Sequence, residues 1–162
     1  PSITPEEFAA IEQASLALRE NDRLRGAVAA LVAWLARSVT VHEVRHVADQ
    51  VEDQGLELPL PCTPCDDDLT MRARAELSAW LSELAWSDSG YTTLLHACTL
   101  DVHPKSATGK ALSRMLGDLG TPCVRPPPAI AIRARQLESA IFGRSQRIAL
   151  PANFPVRLEI ER

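Results

Sequence analysis

The sequence has no surplus of positive charge. Seventeen Lys and Arg stand against 21 Asp and Glu, giving a formal net charge of −4 and a pI near 5.6. The arginines are spread along the chain instead of being gathered in one segment. A nucleic-acid partner requires an electropositive face to neutralise phosphates, so none is expected. Long hydrophobic runs are missing as well. The longest uncharged apolar tract, residues 27–36, falls short of the roughly 20 residues that span a bilayer, and its flanks carry no signal-peptide pattern. No membrane span is expected, and the composition reads as that of a soluble domain. Also missing is a second closely spaced cysteine pair: Cys62 and Cys65 form a C-x-x-C, but Cys98 and Cys123 lie far apart. That deprives a four-cysteine structural zinc module of its second half. The even number instead suits two disulfides and an exported compartment. The C-x-x-C sits in a Pro-rich loop and not at a helix start behind a strand, which disfavours thioredoxin-like redox chemistry. No internal repeat and no low-complexity tract is present.

What is present is enough for a core. With 162 residues, 46% of them hydrophobic, the chain suits a single domain over residues 1–162. It opens on Pro1 in place of Met, as a processed product or a domain excised from a larger protein would.

The patterning is mainly α, with six or seven helices. Thr4-Pro5-Glu6-Glu7 is a helix start, with Thr4 and Glu7 as a capping box and Pro5 at the first helical position; the helix should reach about Glu20. Asn21-Asp22 breaks and recaps. Leu24, Val28, Leu31, Val32 and Leu35 then recur at helical spacing to Arg37, and the uncharged stretch 26–36 predicts that this helix is largely buried. Residues 38–41 allow two readings: the helix continues, or Thr40 caps a new one with Glu43 as its box partner. Either way residues 42–53 are helical and end at Gly55. Residues 56–68 read as a loop whose acidic run Asp66-Asp67-Asp68 supplies the next N-cap. Helices are expected over 69–86, with Leu69, Ala73, Leu77, Trp80, Leu81 and Leu84 as the buried stripe, over 91–102, over 106–119 and over 129–142. The tail from 148 to 160 reads as extended, with at most one or two short strands.

Within this frame one stretch carries chemistry: Val41-His42-Glu43-Val44-Arg45-His46-Val47. On a helix His42 and His46 lie one turn apart and about 40° apart around the axis, so both imidazoles can reach one ion, with Glu43 to the side. This is the H-E-x-x-H pattern in which two histidines bind zinc and the glutamate is the general base. A catalytic zinc needs a third protein ligand and an open position. The same-helix version of that ligand calls for a glycine at position 49 and a ligand at 52. Asp49 stands at the first position, so Glu52 lies too far along the helix. Glu76, on the next helix and facing partly inward, fits instead.

The motif together with Arg74-Ala75-Glu76-Leu77-Ser78-Ala79-Trp80 resembles the glutamate-type zincins, or gluzincins, over residues 39–86. That resemblance implies a zincin-like pair of active-site helices, His42, His46 and Glu76 as Zn²⁺ ligands, and Glu43 as the base that takes a proton from water and hands it to the leaving amine. It implies a zinc metallopeptidase acting on a peptide or protein substrate. Arg45 occupies a position the family keeps uncharged, and Asp49 one turn on is its expected partner. Asp49 alternatively suits an acceptor that orients a zinc-bound imidazole. Glu76 alternatively suits a surface carboxylate paired with Arg72. For an oxyanion-stabilising group, Tyr91, His96 and His103 are candidates by residue type, and His96 equally suits a hydrogen-bonded core histidine. Two competing functions remain: a non-catalytic helical binding or scaffolding domain, and a structural zinc module built on the cysteines.

Overall fold

A computed structural model describes residues 4–53, 62–65, 69–88, 90–120, 123–124, 126 and 128–148. Six helices follow in order: α1 (Pro5–Glu20), α2 (Asp22–Asp53), α3 (Met71–Trp86), α4 (Gly90–Thr99), α5 (Ala107–Leu119) and α6 (Ile130–Phe142), with no strand among the described residues. The fold is mainly α, as the periodicity predicts. The tail read as extended and the helix stop at Gly55 lie outside the described residues, apart from Ile148.

The chain divides into two compact units, residues 1–37 and 38–162. In the first, α1 starts with the predicted reciprocal cap: Glu7 N donates to Thr4 Oγ1 (3.2 Å) and Thr4 N donates to Glu7 Oε2 (2.8 Å). Asn21 recaps the chain by accepting from Leu24 N at 3.0 Å. The expected burial of residues 26–36 is not observed. Leu31 and Val32 are each 50% exposed, as are Phe8, Ile11 and Leu16 of α1 to a similar degree. An apolar stripe indicates that a face gains by being covered but not what covers it; within 26–36 only Val28, Trp34 and Ala36 are half-buried and the rest is exposed. Within Asp22–Asp49, α2 contains an 18-residue stretch with at most two charged residues and a mean hydropathy of 1.4, long and apolar enough to cross a membrane. That criterion concerns length and composition alone.

The second unit is built around α3, with α4, α5 and α6 packed against it. Leu77, Leu81 and Leu84 are fully buried on its predicted stripe, and burial extends around the helix to Ser78, Ser82 and Glu83. Its N-cap is Thr70, whose hydroxyl accepts from Ala73 N at 3.3 Å, so the helix starts two residues later than the apolar pattern suggests. α4 stops at Thr99, three residues short of its predicted end. α5 and α6 end at Gly120 and Gly143, both left-handed with φ of 76° and 67°, the backbone state that glycine adopts without a Cβ penalty.

All four cysteines are paired, Cys62 with Cys65 and Cys98 with Cys123. The first pair sits in a loop anchored by Thr63 N, which donates to Ile141 O at 2.7 Å, and by Arg114 Nη1, which donates to Pro64 O at 3.0 Å.

The start of α5 gives a stability prediction with an internal control. Ser106 caps the helix by accepting from Gly109 N (3.0 Å) and donates to His103 O (2.7 Å), folding the His103-Pro104 turn onto the first helical turn. A Cβ on Gly109 would lie 2.3 Å from His103 O, whereas one on Gly117 meets nothing within 4 Å. Gly109→Ala should therefore destabilise the protein by more than the roughly 1 kcal/mol that alanine's helix preference returns. Gly117→Ala, in the same helix, should stabilise it by about 0.5–1 kcal/mol. Urea unfolding of both variants checks this, and equal shifts would contradict the close approach at Gly109.

Candidate metal centre

α2 runs without a break through Thr40, so the reading in which Thr40 starts a new helix falls. Glu43 is thereby released from any capping-box role. The unbroken helix places His42 and His46 one turn apart with ring centroids 5.0 Å apart. α3 supplies Glu76 from the facing side. One ligand atom from each of His42, His46 and Glu76 lies within 4.8 Å of the other two, and all three side chains are half-buried. His42 Nε2 is 4.0 Å from Glu76 Oε2. Donor atoms bound tetrahedrally to zinc at about 2 Å lie roughly 3.3 Å apart, so side-chain adjustments of about an ångström close the set. Two imidazoles and one carboxylate are the donor chemistry of a catalytic zinc that keeps one position open.

Burial lowers the pKa of His46, the charge of His42 adds to this, and the carboxylates of Glu76, Glu43 and Asp49 only partly oppose it. His46 is thus held neutral near pH 7, the form in which an imidazole binds a metal. Glu43 is exposed on the same helix and close enough to His46 to act on its charge.

Sequence reasoning overlooked Glu83. Its Oε2 is 3.3 Å from His42 Nδ1, without the alignment of a fully formed hydrogen bond. Its Oε1 accepts from Ser38 Oγ at 2.7 Å and from Thr93 Oγ1 at 2.9 Å. Burial pushes the Glu83 carboxyl up, but the facing His42 ring and the hydrogen bonds from Ser38 and Thr93 outweigh it and leave the carboxyl below its ordinary value. Between the two glutamates Trp80 packs edge-on against the His42 ring, centroids 5.1 Å apart. Glu76, Trp80 and Glu83 fall at i, i+4 and i+7, one face of one helix. That spacing was visible in the sequence; its meaning depends on which helix lies opposite.

Arg45 is fully buried and donates through Nε to Asp49 Oδ1 at 2.7 Å; Arg144 donates to the same oxygen. Asp49 is thus the ion-pair partner of Arg45, and the acceptor beside a candidate ligand is Glu83. The proposed Arg72 pairing gives way to the His42-facing position of Glu76, with Arg72 exposed. His96 is exposed and not in the core, its ring 5.5 Å from that of Trp80. Tyr91 is 58% exposed, and the His103 ring accepts from Lys105 N at 3.2 Å.

Next to Arg45 and Arg144 lies Glu138, buried, accepting from Trp86 Nε1 at 3.1 Å and from Ser145 Oγ at 2.9 Å. Burial pushes its pKa above the ordinary 4.5 despite those bonds and the two arginines. A carboxyl whose folded pKa is raised contributes stability fully below the unfolded value and loses it as pH rises through the folded value. Glu138→Gln, which stays neutral, should therefore gain stability relative to the parent chain as pH rises upward from 4.5. Denaturant midpoints of the two proteins at acidic and neutral pH check this, and a gap that narrows toward neutrality would refute it.

Comparison of the chain with models of protein families, with curated proteins and with solved structures finds no match.

Proposed function

We propose that the chain is a zinc-dependent metallopeptidase-like domain of the gluzincin type, hydrolysing a peptide or amide bond in a peptide or protein substrate. One observation carries the reading: His42, His46 and Glu76, taken from the sequence as ligands before any geometry, present their donor atoms within 4.8 Å of one another. His42, His46 and Glu76 would hold the ion. Bound there, zinc supplies Lewis-acid chemistry, acidifying a water and polarising the scissile carbonyl. Glu43 accepts the proton of the attacking water and returns it to the leaving amine. The two disulfides favour an oxidising, exported compartment. They also count against a structural zinc module, which needs free thiolates.

The competing reading is a non-catalytic helical binding or scaffolding domain, and the exposed apolar residues of α1 and α2 favour it. Metal analysis separates the two. After dialysis against zinc at neutral pH and desalting, the purified chain should retain one equivalent, and a cobalt-substituted sample should show the absorption of a four-coordinate site. A chain that takes up no metal under these conditions would remove the peptidase reading and leave the binding domain.

A further inference from the structure

The buried polar group behind His42 has a proton count that fixes the state of the imidazole. Ser38, Glu83 and Thr93 are 4%, 6% and 2% exposed, so water does not supply or remove protons freely there. Three contacts join them: Ser38 Oγ to Glu83 Oε1 (2.7 Å), Thr93 Oγ1 to Glu83 Oε1 (2.9 Å), and Ser38 Oγ to Thr93 Oγ1 (3.0 Å). Two hydroxyls have only two protons for three contacts. Both are best placed on the carboxylate, since a hydrogen bond to an ionised acceptor is roughly twice as strong as one between neutral groups. Glu83 is then an acceptor on both oxygens. Its Oε2 faces His42 Nδ1 at 3.3 Å, and the only proton able to occupy that contact is one on Nδ1. A neutral His42 with its proton on Nδ1 carries a bare lone pair on Nε2, which faces Glu76 Oε2 at 4.0 Å. Two electron-rich atoms at that separation repel unless a cation lies between them.

We infer that Glu83, locked by the hydroxyls of Ser38 and Thr93, is a positioning residue that fixes His42 in its Nδ1-protonated tautomer and so presents Nε2 as the donor beside Glu76. The inference rests on the reading of His42 as a ligand only for its consequence in metal binding; the tautomer stands on the 3.3 Å Nδ1–Oε2 approach and on the proton count of the buried group. Trp80 contributes by packing edge-on against the ring and restricting its rotation. Among the described residues these contacts account for both nitrogens and one flank of the imidazole.

The test reads the tautomer directly in the metal-free protein. Nitrogen-15 NMR of the His42 ring at about pH 8, where an ordinary imidazole is neutral, should show a pyrrole-type Nδ1 and a pyridine-type Nε2. Glu83→Gln offers Nδ1 an amide that can donate as well as accept, so the Nδ1-protonated population should fall while circular dichroism stays unchanged. Zinc affinity by chelator competition should drop about 10- to 100-fold, the usual cost of losing a group that orients a metal-binding histidine. Ser38→Ala with Thr93→Val, which releases Glu83 but leaves it charged, should give a smaller loss. A wild-type His42 protonated on Nε2, or a folded Glu83→Gln protein with wild-type tautomer populations, would overturn the inference. The wild-type measurement decides the matter if the variant does not fold. A chain with the expected tautomer but no zinc uptake would confirm the role of Glu83 and remove the peptidase reading. One equivalent of zinc bound with equal affinity by wild type and Glu83→Gln would remove the role of Glu83 in metal binding and leave the zinc site standing.

Discussion

Replacing His46 by alanine should weaken zinc binding by at least about a hundredfold, whereas Cys62→Ser should leave it unchanged. The magnitude follows from the donor count. A catalytic zinc has three protein ligands, and losing even a group that only orients a ligand costs 10- to 100-fold, so losing a ligand itself costs more. The helix tolerates the change: His46 is half-buried on a continuous α2, and alanine is the best helix former. Reduced binding therefore reports the site and not the fold. Cys62 is the matched control because it is joined to Cys65 and belongs to a loop anchored on α5 and α6. Glu76→Gln adds a sharper comparison, since it keeps the side-chain shape and removes the charge. Competition with a chromogenic chelator gives all three affinities. A His46→Ala protein that binds zinc as tightly as its parent would show that the ion, if bound, sits elsewhere.

How much of this was legible in the sequence depends on the range of the interaction concerned. The α1 cap links Thr4 to Glu7 and the α5 cap links Ser106 to Gly109, each across three residues, and such local chemistry is written in consecutive letters. The α3 stripe is legible for the same reason, being a period along one helix. Glu76 was reachable because a zinc site requires a third ligand, which turned an incomplete motif into a search. Glu83 was not, because its partners stand 45 residues before it and 10 after it, and no rule of spacing connects them. The apolar stretch of α2 failed in a different way. Its composition gives an incentive for burial, but burial is a property of two surfaces and the sequence pattern specifies only one. Arg45 shows the reverse: a charge at a position expected to be buried is fully buried, held by an Asp49 one turn away that the i, i+4 rule identifies.

Glu43→Gln is the substitution that separates a metal-binding helix pair from an enzyme. A general base contributes about 10²–10⁴ in rate, so kcat should fall by that factor while zinc content and affinity stay close to those of the parent chain. Glutamine preserves size and helix preference but accepts no proton, so the loss is confined to the proton-transfer step. Glu43 suits that step for a reason the unbroken helix supplies. With no cap at Thr40 to bend back toward, its carboxylate stays on the exposed side of α2, adjacent to His42 and within electrostatic reach of His46. The same exposure gives the opposing outcome its physical meaning. If the parent chain binds one zinc but hydrolyses peptide no faster than Glu43→Gln, the carboxylate is only solvated surface charge. The site would then be a metal-holding element of a binding domain whose apolar α1 and α2 residues make the functional contact.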